Sequence, residues 1–94
     1  MRVTVNFYSI FREMAGGKSF TVEISDNATV KELIEAIKEQ VSKEVYEKIY
    51  KFMGGRGAKT LILINGRNIK FLNGLDTKIS KKDRIDIFPP GAGG

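Results

Sequence analysis

One capped amphipathic stretch, Thr29 to Val41, sits between short runs that alternate apolar and polar residues. That ordering constrains the fold more than any other feature of the chain. Thr29 followed by Glu32 is a capping-box pattern, which opens a helix at Val30. Val30, Leu33, Ile34, Ile37 and Val41 then line one face of a 3.6-residue period. Upstream, Val3, Val5 and Phe7 alternate with Arg2, Thr4 and Asn6, and Phe20, Val22 and Ile24 alternate with Thr21 and Glu23. Both runs have the period of half-buried strands. Gly16-Gly17 lies between them, so they are expected to pair as a hairpin with a long loop. Phe11 and Met14 of that loop fold back onto the core.

Downstream, Ser42 is placed to cap a second, shorter helix with the stripe Val45, Ile49, Phe52 and Met53. Tyr46 and Tyr50 lie one residue round from that stripe and read as core-edge packing. Gly54-Gly55-Arg56-Gly57 ends the helix and begins a flexible connection. These glycines are not a phosphate loop, which needs a strand before it, Lys-Ser/Thr at its end and a helix after it. Leu61-Ile62-Leu63-Ile64 is continuously apolar, which predicts a strand covered on both faces or nearly so. Asn65-Gly66 predicts a tight hairpin turn and a return strand around Asn68–Phe71. After a further turn at Asn73-Gly74, the last strand is Arg84–Phe88, stopped by Pro89-Pro90. Ile85 and Ile87 face one side of it, and Arg84, Asp86 and Phe88 the other. Strand, strand, helix, helix, strand, strand, strand is the order of an α+β domain with one helical layer on one sheet.

The 94 residues contain no cysteine and no histidine. Disulfides, thiolate metal sites, a Cys nucleophile and a Ser-His-Asp triad are excluded together, so neither a metal site nor a self-sufficient catalyst is expected. No apolar run approaches the roughly 20 residues of a membrane-spanning helix, and the start has no signal-peptide pattern. The expectation is a cytoplasmic protein. The net charge is +5, yet residues 1–53 hold eight basic and eight acidic side chains. The whole excess lies in residues 54–94, where eight Lys/Arg face only Asp76, Asp83 and Asp86. Such asymmetry predicts an anionic partner, either an acidic protein surface or nucleic acid. Nucleic acid is the weaker reading, because aromatics and cations do not interleave as in single-strand binders.

The chain ends Phe88-Pro89-Pro90-Gly91-Ala92-Gly93-Gly94. After the prolines no side chain exceeds a methyl group, so this segment can bury almost nothing and loses much entropy on ordering. The two prolines fix an extended, projecting start for it. With Tyr8 through Gly16, Thr29-Val30 with Leu33, Asn65-Gly66, and Leu75-Thr77-Ile79 ahead of Asp83 and Ile85, this ending resembles the MoaD/ThiS family of ubiquitin-like sulfur carriers. The likeness extends to the small subunit of molybdopterin synthase and to small archaeal modifier proteins. One departure is Gly91, where the family often has valine.

The resemblance implies a β-grasp fold: a mixed five-stranded sheet on one main helix plus a second short one, as residues 1–88, with a flexible tail at 89–94. It implies a carrier rather than an enzyme, with the chemistry at the carboxylate of Gly94, next to Gly93. A ubiquitin-activating-type partner would adenylate that carboxylate, using its own ATP and Mg²⁺, and a sulfur donor would convert it to a thiocarboxylate. The sulfur would pass to an acceptor such as the large subunit of molybdopterin synthase, for molybdenum or tungsten cofactor synthesis. A protein modifier joining Gly94 to target lysines is the alternative, and a plain β-grasp binding module a lesser one. Phe88, Pro89, Pro90, Arg84, Lys81 and Lys82 are the expected partner-binding residues, with Phe88 as an aromatic anchor and the cations, together with Lys70 and Lys78, as its rim.

Overall fold

A computed structural model describes residues 1–54 and 57–91. The first strand, β1 (Arg2–Phe7), pairs antiparallel with β2 (Ser19–Glu23), placing Val3 opposite Val22 and Val5 opposite Phe20. The connection is not all loop, because Ile10–Ala15 forms a short helix, α1. Phe11, Met14 and Ala15 have the i, i+3, i+4 spacing that turns one helical face to the core, and Phe11 is fully buried. Gly16 ends the helix in the left-handed conformation, where its N–H reaches back to the Arg12 and Glu13 carbonyls.

Thr29 caps α2 (Val30–Gln40) with both halves of the capping box in place. Of the stripe read from the period, Val30, Leu33, Ile34 and Ile37 have no exposed surface, and Val41, at the C-cap, is half-buried. Ser42 accepts a hydrogen bond from the Val45 N–H at 3.2 Å and opens α3 (Lys43–Gly54). This second helix is not the shorter one, with 12 residues against 11 in α2. Val45 and Ile49 are fully buried, while Tyr46 and Tyr50 form a half-buried edge-to-face pair. Burial, followed by the nearby Glu35, pushes the Tyr50 phenol up to about 12. The connection read at residues 54–57 lies partly outside the described residues, which omit Gly55 and Arg56.

β3 (Leu61–Ile64) departs from the expectation of a strand covered on both faces. Ile62 and Ile64 are buried against the helices, but Leu61 and Leu63 are only half-buried, because no second helical layer covers the outer face. Asn65 and Gly66 make the tight turn with φ of 51° and 84°, as the hairpin geometry requires. The return strand β4 is only Arg67–Asn68. The Asn68 side chain accepts from the Lys70 N–H at 2.8 Å and turns Ile69–Phe71 into a 3₁₀ helix, which ends the ladder early. A second 3₁₀ turn, Gly74–Asp76, leads on to β5 (Arg84–Phe88).

The sheet order is β2-β1-β5-β3-β4. β5 runs parallel to β1 and antiparallel to β3, so the last strand lies in the middle of the sheet. This is the β-grasp arrangement. The core lies between the inner face of the sheet and the helices, and Val5, Phe7, Leu33, Ile37, Ile62 and Ile85 are all buried in it. Among the described residues no helix is long and apolar enough to cross a membrane.

Candidate functional site: the outer face at the base of the tail

Alternation along β5 sends Ile85 and Ile87 into the core and Arg84, Asp86 and Phe88 to the outer face. Asp86 is nevertheless 5% exposed. A carboxylate in that position needs donors, since an unpaired buried charge is strongly unfavourable. It has three. Asn6 Nδ2 and Tyr8 Oη donate to one carboxylate oxygen at 3.0 and 2.9 Å, and Arg84 Nε donates to the other at 3.0 Å. Asn6 is held in turn by the Ser19 hydroxyl, which donates to its side-chain oxygen. Burial acts to raise the Asp86 pKa, but the hydrogen bonds from Asn6, Tyr8 and Arg84 outweigh it and hold the carboxyl below its ordinary value. The same bond to Asp86, with some burial, pushes the Tyr8 phenol up.

That bond also fixes the Tyr8 ring. It stacks on Phe88 with centroids 4.1 Å apart and 10° between the planes. On the chain side Arg12 donates from Nε to the Phe7 carbonyl at 3.1 Å, and its guanidinium lies 5.4 Å from the Tyr8 ring centroid. Leu61 pairs with Phe88 in the ladder and Leu63 with Asp86, so the half-buried leucines share this face. The result is an apolar strip with a charged, hydrogen-bonded floor beneath it. Both Asp86 oxygens accept hydrogen bonds from neighbouring donors. The arrangement can bind and position a partner.

The structure brings Phe88 and Arg84 together around Asp86 and sets Lys81 and Lys82 apart. Both lysines are exposed and precede β5, whereas Phe88 ends it. With a rise of about 3.3 Å per residue, the full strand separates them. The expected cationic rim around Phe88 therefore reduces to Arg84, joined by Arg12 across the Tyr8 ring. Pro89 is buried and Pro90 half-buried, so the packed body extends past the strand and Pro90 is the proline available to a partner. Gly91 is exposed with φ of 79°, a conformation that valine at this position would rarely adopt. Gly93 and Gly94 lie outside the described residues. Tyr8, Asn6, Arg12 and Asp86 were not among the expected site residues. The signal for Asp86 was its place between two core isoleucines, one residue from each.

The ThiS family model matches residues 5–94. The chain belongs to the ThiS family. It is similar to small archaeal modifier protein 3 of Haloferax volcanii, with 30% identity over the full length of both chains. It is also similar to a protein of Archaeoglobus fulgidus provisionally named a sulfur carrier, with 36% identity over 74% of this chain and 78% of the relative. Among solved structures, the Amycolatopsis orientalis BexX/CysO complex contains a chain with a TM-score of 0.72 and 25% identity, covering 98% of this chain and 99% of that one.

Proposed function

We propose that this ThiS-family chain is a sulfur carrier that reacts at the carboxylate of Gly94. The observation that carries the reading is the match to the ThiS family up to residue 94, on a chain whose tail after Pro90 has only glycine and alanine. A carboxylate is a poor acyl donor until one oxygen is turned into a leaving group. In the proposed sequence the Gly94 carboxylate attacks the α-phosphorus of ATP on an activating partner, forming the acyl-adenylate and releasing pyrophosphate. A sulfide-class nucleophile then attacks the acyl carbon, AMP leaves, and the terminus becomes a thiocarboxylate.

This chain supplies the tail and its base, and the partner supplies ATP, Mg²⁺ and the catalytic groups. Glycine suits a tail that must enter a narrow active site where water is excluded from the activated acyl group. The strip of Tyr8, Phe88 and Leu61, with Pro90 and Arg84, docks the partner at the point where the tail begins. The acceptor that we favour is the molybdopterin precursor, because the ending Phe88-Pro89-Pro90 with Gly93-Gly94 resembles that of the sulfur carriers that include the synthase small subunit. The full-length similarity to an archaeal modifier protein supports a second reading. There a lysine ε-amine displaces AMP from the same adenylate and forms an isopeptide bond.

Intact mass spectrometry of the protein from its own cell separates the two. Oxygen-to-sulfur exchange at the C-terminus supports the carrier, covalent attachment to other proteins supports the modifier, and neither product overturns both. Deleting Gly93 and Gly94 should abolish adenylation by the activating enzyme and leave the melting temperature nearly unchanged. A large destabilisation would mean that the tail is a packed structural element.

A further inference from the structure

Phe71 is 81% exposed, far more than any other large apolar side chain among the described residues. It is not displayed by a loose loop. Asn68 caps the 3₁₀ helix at one end through the Lys70 N–H, and the Leu72 N–H closes the other on the Ile69 carbonyl at 2.9 Å. The Thr77 hydroxyl accepts from the Asn73 N–H at 3.0 Å and ties this turn to the next one. Ile69 is 6% exposed and anchors the turn in the core. A 3₁₀ helix has about three residues per turn, so a buried Ile69 points Phe71, two residues on, away from the core. Leu72 beside it is 37% exposed.

The same edge carries a cavity of about 590 Å³ between the end of α3, the start of β3 and the two 3₁₀ turns. Met53, Leu61, Ile62, Ile69 and Leu75 contribute its apolar lining, and Lys59 and Lys70 its charge. Residues 57–76 hold three cations, Lys59, Arg67 and Lys70, against the single carboxylate of Asp76. None of the three cations takes part in an ion pair among the described residues. A rigidly held aromatic loses little conformational freedom on binding, and aromatic anchors dominate interface energetics.

We propose that this edge is a second docking surface, centred on Phe71 and bordering the Tyr8–Phe88 face at Leu61, and that it takes an acidic segment of a protein partner. An apolar group of the partner covers Phe71 and enters the cavity, and its carboxylates meet Lys59 and Lys70. A nucleic acid fits less well, because one exposed aromatic beside an apolar cavity offers no run of stacking platforms for successive bases. The surface involves no residue of the tail, so it goes beyond the carrier reading and does not depend on it.

The test places a benzophenone photo-crosslinking residue at position 71, and in a control chain at exposed Lys31 on α2, in cells of the source organism. The captured protein is identified, purified and titrated against the intact chain. Phe71→Ser should weaken its affinity by about tenfold or more, as expected for an anchor. Lys59→Glu with Lys70→Glu should also weaken it and should remove most of its salt dependence. Deletion of Gly93 and Gly94 should leave this affinity unchanged, which separates the proposal from the tail chemistry. Because Phe71 is exposed, its variant keeps the fold, as circular dichroism will verify. Crosslinking no stronger than at position 31, capture of nucleic acid or of a second copy of this chain, or equal affinity for Phe71→Ser would each overturn the proposal.

Discussion

The two faces of β5 bury their residues by different physics. Ile85 and Ile87 on the inner face are fully covered by apolar neighbours, a non-directional arrangement whose strength follows the area removed from water. Asp86, between them on the outer face, is covered almost as well, but through three directed hydrogen bonds that hold Asn6, Tyr8 and Arg84 in place. One face supplies stability. The other supplies position, and it spends part of its apolar surface on a half-open aromatic strip. If this division holds, Leu33→Ala, which opens a cavity beneath the inner face, should cost on the order of 2–5 kcal/mol of unfolding free energy in denaturant titrations. A loss below about 1 kcal/mol would break the comparison at its stronger side.

Phe88→Ala asks the complementary question. The ring is half-buried and stacked on Tyr8, and it ends the strand where the tail begins. Partner affinity should fall by about 2 kcal/mol or more, as for an aromatic anchor. Its effect on unfolding should be clearly smaller than that of Leu33→Ala. Equal destabilisation, with partner affinity unchanged, would make the outer aromatic pair structural and end the distinction between the faces.

Asp86 sharpens the comparison because its contribution depends on pH. Its carboxyl is held below the ordinary value, near 3.9 for an unfolded chain, so the folded state favours the ionised form. That stabilisation is present above about pH 4 and is lost as pH falls through the folded value. Asp86→Ala should cost about 1–3 kcal/mol at neutral pH, since Tyr8 and Asn6 lose a buried acceptor. Asp86→Asn should flatten the acid limb of the stability curve, measured by melting temperature against pH. An unchanged limb would mean that other carboxylates govern acid unfolding.

How much of this could be read in advance follows the same division. The inner face was legible: the alternation at Val3, Val5 and Phe7, the stripe through Leu33 and Ile37, and the strand Arg84–Phe88 are all where the periods place them. Apolar burial is periodic, and a period can be counted. The outer face was legible only as a list of side chains pointing one way. Nothing in the order of residues says that Asn6 and Asp86, 80 positions apart, meet at 3.0 Å. Leu61-Ile62-Leu63-Ile64 misled for a related reason, because four consecutive apolar residues have no alternation to show that two of them face an uncovered surface. The early end of β4 came from one side-chain hydrogen bond at Asn68, a local competitor that hydrophobic patterning does not register.

The smallest effect is expected at Lys81 and Lys82. Both are exposed at the start of β5, while Arg84 contacts Asp86 inside the outer-face cluster. Five residues of extended chain at about 3.3 Å each put the lysines beyond the Debye length of about 8 Å at physiological ionic strength, measured from Phe88. Their field at the docking strip is therefore largely screened. Reversing both charges, Lys81→Glu with Lys82→Glu, should slow association with the activating enzyme by less than about threefold at physiological salt, with a larger effect at low salt. Arg84→Glu, by contrast, removes a donor from Asp86 and sets two carboxylates against each other beneath the strip, so it should weaken binding at every salt concentration. Stopped-flow association rates across a salt series distinguish the cases. If the double lysine reversal slows association by tenfold at physiological salt, the partner reaches along the whole length of β5. The two ends of the strand would then have to be treated as one surface.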